Sequence, residues 1–433
     1  MASAGAAIAA VTAVTAHAAP EPANPVAAVF GAREIQRLSL SPDGTHIAII
    51  VPVSSRGAAL RIIDTATNTI GKTIVASSGN PESLRDCRWS SDTRLVCTIS
   101  STSDSALGLL GFSRTLAVDS DGANMKMLSA RTNDRSLGIM QDGGDVIDWT
   151  ADGAAGAVLM TRKFVPESTL GTHIANSADG LGVERLDTVT LKRRTIEPAR
   201  ATAVEYISDG QGVVRVMGSR GRSGSGYETN KRSYFYRKPG DRAWLPLSEI
   251  VGQADGGDMG FDPYAIDPVA NVAYGFDTLD GRQALYKVGL DGSLKRDVVL
   301  ARPDVDVDSL IRIGRRGRVV GASYATDRRE VEFFDPDLKK LAASLRKALP
   351  RQPLITFLDA SADETKLLLF AGSDVDPGRY YLLDRTTKKM AEVVAARWEL
   401  EKTTLASVKP IDFRAADGTM IPGYLTLPPH STG

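Results

Sequence analysis

Residues able to do covalent chemistry are sparse in this chain and poorly grouped. Its two cysteines, Cys87 and Cys97, lie in DCRWSSDTRLVC, placed symmetrically about Asp92. If the polar centre is a three- or five-residue turn between antiparallel strands, the thiols fall opposite each other on one face. A one-residue slip sends them to opposite faces and forbids a bond. In an oxidising compartment the first arrangement gives a structural disulfide, and that is the expectation taken forward; the other reading is two small core thiols. Metal binding is disfavoured, because neither a third ligand nor a nearby histidine accompanies the pair.

Histidine is scarce: His17, His46, His173 and His430 complete the set. His46 follows a turn and reads as an ordinary strand residue, His173 lies in a polar excursion, and none has an evident acid–base partner. The strained G-x-S-x-G elbow that exposes a nucleophilic serine has no match. GRSGSG at 221–226 comes nearest and reads better as a Gly/Ser/Arg loop. HExxH, a Gly-Lys-Ser/Thr phosphate loop and a full calcium loop are missing too, and DSDG at 119–122 is a hairpin turn before it is a calcium fragment. Arg220, Arg222, Lys231 and Arg232 could form an anion-binding patch, but solvated loop charge is the preferred reading. No catalytic, cofactor-binding or metal-ligating residue is therefore assigned to this chain.

The elements that would position any site are written as a repeat. Four-residue polar turns between apolar strands recur as SPDG at Ser41, SSDT at Ser90, TADG at Thr150, ISDG at Ile207, DPVA at Asp267, GRRG at Gly314 and SADE at Ser361. Their steps of 49, 60, 57, 60, 47 and 47 residues indicate a repeat architecture. Second hairpins follow at 60–70, 114–128, 284–300 and 380–394, with Gly, Asp or Asn where a turn needs positive φ or a local hydrogen bond. Four strands per unit, seven times, predict an all-β, seven-bladed β-propeller; a sandwich or barrel lacks so long a period. Polar excursions at 163–182 and 219–232 read as long surface loops on one face. DPDLKKLAASLRKALPRQP, 335–353, reads as a helix capped by Asp335, with Pro336 in its first turn. Leu338, Leu341, Ala342, Leu345 and Leu349 form its apolar stripe, and it replaces or covers an outer strand.

Composition narrows the partners. Lys plus Arg equals Asp plus Glu at 52 each, which argues against a general nucleic-acid or anionic-membrane binder. No membrane-spanning run occurs after the N-terminus. Residues 2–19, ASAGAAIAAVTAVTAHAA, resemble a secretory signal peptide with a small-x-small site at Ala16-His17-Ala18, though no basic residue precedes the apolar run. A disordered alanine-rich tail is the alternative. The expected organisation is a signal peptide at 1–19, a linker at 20–30, the propeller at 31–397 and a further segment at 398–433, in an exported, periplasmic or secreted protein.

That last segment is the most specific. It contains VKPIDFRAADGTMIPGYLTLPP, with the pattern F-x-x-x-D-G-x-x-I-x-G-Y-L-x-x-P from Phe413 to Pro428. Together with FGAREIQRLSLSPDGTHIAII near the start and the seven-unit ring, it resembles the prolyl oligopeptidase family of serine peptidases, and in particular its bacterial acylaminoacyl- or dipeptidyl-peptidase-like members. The resemblance implies that residues 411–427 are the first hairpin of an α/β-hydrolase domain carrying Ser, Asp and His in that order. Every matching position stops at Gly433, so no catalytic residue carries over. The expectation is a gating propeller that acts on short peptides together with a missing hydrolase domain, and that is inactive alone. Two rivals remain: a non-enzymatic exported propeller that binds a protein partner, and a propeller with metal-dependent or lactone-cleaving chemistry in its channel. The terminal hairpin is expected to be loosely docked, with apolar surface exposed.

Overall fold

The computed structural model describes residues 34–433 except 55, 106–107, 131, 151–155, 170–173, 225–227, 253–257, 430 and 432–433. The signal-like segment at 1–19, the whole 20–30 linker, His17, His173, His430 and part of the TADG turn lie outside the described residues.

Seven antiparallel sheets follow one another as meanders. The first contains β1 (Gln36–Leu40), β2 (His46–Pro52), β3 (Ala58–Asp64) and β4 (Thr69–Ser77). The second contains β5 (Glu82–Trp89), β6 (Arg94–Ser105), β7 (Gly108–Asp119) and β8 (Lys126–Met127). β9 (Val146–Asp148), β10 (Ala157–Phe164), β11 (Gly180–Asp187) and β12 (Arg193–Arg200) form the third. The fourth has five strands, β13 (Ala203–Ser208), β14 (Val214–Arg222), β15 (Glu228–Tyr236), β16 (Leu245–Gly252) and β17 (Asp258–Met259). β18 (Asp262–Asp267), β19 (Val272–Leu279), β20 (Arg282–Gly289) and β21 (Arg296–Leu300) make the fifth. The sixth has β22 (Val307–Ile313), β23 (Arg318–Ala325) and β24 (Arg329–Phe333), then helix α1 (Pro336–Ala348). The seventh has β25 (Leu354–Ala360), β26 (Lys366–Gly372), β27 (Arg379–Asp384) and β28 (Lys389–Ala395). A separate hairpin, β29 (Val408–Arg414) and β30 (Met420–Thr426), follows.

Why sheets stack on sheets is visible in β2, whose residues are apolar on both faces. Ala48 and Ile50 pack with Leu84, Trp89 and Leu95 of the second sheet. The intervening Ile47, Ile49 and Val51 pack with Leu368 and Tyr380 of the seventh. Because side chains alternate with period two, a strand apolar at every position needs an apolar neighbour on each side. Leu367 and Leu369 likewise face Ile313, Val320 and Phe333 of the sixth sheet, while Leu368 faces the first. The remaining interfaces follow chain order through Val96–Met160, Leu159–Tyr206, Val216–Tyr286 and Leu285–Val307 clusters. The seventh sheet meets the first, and Ile35 N–H donates to Ala396 O at 2.9 Å across that junction. This is a propeller-like, all-β arrangement.

The six fully described repeat turns, and Thr150 of the seventh, lie between the first and second strands of their sheets. Antiparallel order then puts them on one side of the molecule, the turn face. Connections between second and third strands, and between sheets, lie on the opposite loop face. In SPDG, Ser41 Oγ donates to Asp43 (2.6 Å), and Thr45 N–H donates to Asp43 (3.0 Å). The SADE turn repeats this with Ser361, Asp363 and Thr365 (2.6 and 3.0 Å). Turns also join their neighbours: Ala362 N–H donates to Pro42 O at 2.7 Å.

The helix has the expected cap. Asp335 accepts from Asp337 and Leu338 N–H at 3.0 and 3.1 Å, and Leu338, Ala342 and Leu345 are buried. It stands where the other sheets have a fourth strand. One reading needs correction: 219–232 is mostly an extension of β14 and β15, paired as far as Arg222 and Glu228, and not a loop. Its polar residues alternate charge and hydroxyl across a solvated ribbon, a pattern that composition alone does not separate from a loop. The hairpin of β6 and β7 is longer still, at 12 residues a strand, and its Ser-rich tip concealed it in the same way.

Candidate functional site

The first strand of every sheet, β1, β5, β9, β13, β18, β22 and β25, contributes side chains to one axial cavity of about 570 Å³. Because it draws on all seven sheets, it is the natural candidate for a site. Its charged lining consists of Arg88, Arg312, Arg315 and Arg316 against Asp148, Glu205 and Asp359.

Arg315 partitions the axis. It leaves the β22–β23 turn of the sixth sheet and donates to Trp89 O (2.9 Å) and Ser90 O (2.9 Å) of the second sheet and to Trp149 O (2.7 Å) of the third. The same residue, with Gly314 and Arg316, also lines a depression of about 780 Å³ on the turn face. Burial lowers the Arg315 pKa from its usual range, opposed by Asp359, Asp92 and Asp148. At the other end, Arg88 and Leu358 are shared with a loop-face opening of about 960 Å³ that also has Arg37, Arg85 and Asp86 in its wall. The cavity thus adjoins a depression on each face, with the Arg315 guanidinium between it and the turn face.

The acidic lining is engaged elsewhere. Asp148 accepts from Thr150 N–H and Gly212 N–H, both at 2.8 Å. Asp359 is buried and accepts from Leu40 N–H (3.0 Å) and Ser39 Oγ (3.2 Å). Burial pushes its carboxyl pKa up, although Arg88 pulls the other way. Glu205 lies 3.0 Å from the Tyr234 hydroxyl, which is also 2.8 Å from Asp262 and 3.1 Å from Arg232 Nη1. Burial raises both carboxyls. One phenolic proton can serve only one of them, so this geometry is satisfied when the other carboxyl keeps its own proton and donates it back.

The residues singled out by sequence fall into place separately. Cys87 and Cys97 are directly opposed in the β5–β6 register, with Cα atoms 4.1 Å apart and sulfurs 2.07 Å apart. They lie in the interface between the first and second sheets, away from the axis. His46 Nδ1 is 2.7 Å from Thr45 Oγ1, which also bonds Asp43 at 2.8 Å. Burial acts to raise the Asp43 pKa, but hydrogen bonds from Ser41 and Thr45 outweigh it and hold the carboxyl low. Thr45 therefore gives its proton to Asp43, and His46 is the first residue of β2, beside the turn. Among the basic residues of the fourth sheet, Arg220 pairs with Glu228 (2.8 Å), Lys231 with Glu249 (2.6 Å), and Arg232 joins the Tyr234 cluster. These charges are paired, where free solvated charge was expected. Among the described residues no group of three or more His, Cys, Asp or Glu is placed to hold a metal ion, and no helix is long and apolar enough to cross a membrane. The axial arginines were missed because they sit singly, in RDCRW and RIGRRG, more than two hundred residues apart.

The loop face gathers the other unusual features. β29 and β30 stand there, held by Val408 N–H to Asp374 (2.7 Å) and Tyr424 hydroxyl to Thr326 O (3.1 Å). Phe413 and Tyr424 are at least half exposed, and Ile411, Met420, Ile421 and Leu425 are exposed beside them. The extended β6–β7 and β14–β15 strands run toward the same face by their order in the sheets.

No protein-family model and no curated protein sequence matches the chain. Solved structures do. Prolyl oligopeptidase B from Galerina marginata in its apo form matches with a TM-score of 0.54 at 10% identity, over 92% of this chain and 56% of that one. A structure from work on two prolyl endopeptidases matches at 0.52 and 12%, over 92% and 56%. An acylaminoacyl peptidase from Pyrococcus horikoshii matches at 0.49 and 11%, over 92% and 58%. At such identities the likeness is one of fold, and the chain spans little more than half the length of each of these enzymes.

Proposed function

We propose that the seven sheets are the blades of a closed β-propeller, and that this propeller is the gating, substrate-filtering part of an exported serine peptidase acting on short peptides. The catalytic Ser, Asp and His would belong to an α/β-hydrolase domain seated on the loop face. Peptides would be held between the two parts, and acyl transfer to the serine followed by hydrolysis would be the reaction. On its own, the chain described here binds but does not cleave.

The observation that supports this reading best is the β29–β30 hairpin. It holds the F-x-x-x-D-G-x-x-I-x-G-Y-L-x-x-P pattern, yet both its strands are solvated and its aromatic and aliphatic side chains have little to pack on. A two-stranded ribbon is marginal without sheet neighbours, which a hydrolase sheet would supply. The fold shared with Galerina marginata prolyl oligopeptidase B is consistent with it. The test is to express the natural reading frame that contains this chain and treat it with a serine-directed phosphonate. Stoichiometric labelling outside residues 34–433, with loss of peptide hydrolysis, is the expected result. Neither labelling nor hydrolysis would leave the partner-binding propeller as the better account.

A further inference from the structure

Four arginines, Arg88, Arg312, Arg315 and Arg316, line the axial cavity against three carboxyls, Asp148, Glu205 and Asp359. Arg88, on β5, and Arg312, on β22, both line it. Arg88 lies over the Trp149 ring, 5.5 Å from its centroid, and Arg312 has one long hydrogen bond, 3.4 Å, to Tyr264 O. Neither makes an ion pair with a described carboxylate. The three acids of the lining take their hydrogen bonds from backbone amides, Ser39 and Tyr234 and from the Thr150 hydroxyl, and of them Asp359 acts on Arg88 through its charge without touching it. Desolvation, and then the charge of Arg88, lowers the Arg312 pKa, which is the electrostatic cost of two guanidinium groups sharing one enclosure.

Arg315 adds a further cation, whose donors go to three carbonyls on the turn side. On the loop side the adjoining opening has Arg37 and Arg85 in its wall. Arg37 has φ of +46°, an uncommon backbone state for a residue with a β-carbon, at the irregularity between Gln36 and Leu38 in β1. Guanidinium groups that line a cavity without a contact ion pair are matched to oxygen anions, whose oxygens suit the planar fork of arginine.

We propose that the axial cavity is a small-oxyanion site, in which Arg88 and Arg312 bind a carboxylate or comparable oxyanion. The oxyanion is either the C-terminal carboxylate of a short peptide or a free small anion. The site needs no hydrolytic chemistry, so it stands or falls independently of the peptidase reading.

Isothermal titration calorimetry of the protein at low salt tests it, with trialanine, trialanine amide and inorganic phosphate as probes. Arg88→Gln, Arg312→Gln and the double variant are compared with an exposed helix control, Arg346→Gln. The expected result is saturable binding of trialanine or phosphate, weakened about tenfold or more by each cavity variant and by added salt, and unchanged in the control. Trialanine bound with phosphate excluded assigns the site to peptide ends, and both bound alike assigns it to small oxyanions in general. The melting temperature of Arg312→Gln should equal or exceed that of the parent, because a desolvated charge beside a like charge is removed. No saturable binding of either anion overturns the proposal. So does equal binding of the amide and the acid, full binding by the double variant, or loss of binding only together with loss of the fold.

Discussion

Asp363 illustrates how much of this molecule rests on single turn residues. Hydrogen bonds from Ser361 Oγ and from the Thr365 amide and hydroxyl hold its pKa down at about 2, below the ordinary 3.8. A depressed carboxylate stabilises the fold above its unfolded pKa and ceases to do so as pH falls through the folded one. Asp363→Asn keeps a neutral acceptor and removes the charge. It should therefore lower the melting temperature at pH 7, with the difference from the parent fading between about pH 4 and pH 2. Tyr234 is the buried counterpart, one hydroxyl shared by Glu205, Asp262 and Arg232. Tyr234→Phe leaves those groups short of a partner and should cost about 1–3 kcal/mol in urea unfolding. For the cysteines, their opposed register and the expected export together lead us to propose a disulfide in the native protein. Mass measurement of unreduced, alkylated protein should then find no free thiol, and two alkylated cysteines would refute it.

At the scale of elements, the sixth sheet is the informative exception. A helix replaces its fourth strand, and it stays put because Leu338, Ala342 and Leu345 pack with Phe333 and Phe357 while Asp335 caps its first turn. Asp335 also pairs with Arg318 at 3.0 Å, so one side chain joins the helix start to β23. Asp335→Ala removes both contacts and should destabilise the protein by about 1–2 kcal/mol in chemical unfolding, with no loss of strand signal. The terminal hairpin is the opposite case. Its local chemistry is complete, with Asp417 accepting from Thr419 N–H at 2.9 Å and Gly418 at φ of +89°, yet it lacks a packing surface. Local turn chemistry makes a hairpin; burial against other elements makes it stable.

For the whole molecule, the decisive contact is Arg315, which ties the sixth sheet to the second and third across the axis. Propeller-like rings bury their apolar surface between adjacent sheets, so a bond across the centre adds a constraint that neighbour packing does not provide. Arg315→Ala removes the side-chain donor of three carbonyls, of which Ser90 O keeps the Gly156 N–H, and should lower stability by about 1–3 kcal/mol in denaturant titration.

The sequence by itself determined the repeating strand–turn–strand unit, the capped helix and the terminal hairpin. Turns and periodicity depend on residues within a few positions of one another, and SPDG or DPDLKKL state their hydrogen bonds almost in full. The extended β6–β7 and β14–β15 hairpins escaped it, because polar ribbons in solvent need no apolar alternation. Only the tertiary structure decided that Arg88, Arg312 and Arg315 meet, and that the acids around them are already engaged. Closing a ring brings residues from distant sheets to one axis, and which side chains meet there depends on strand register and sheet order, which no local pattern records.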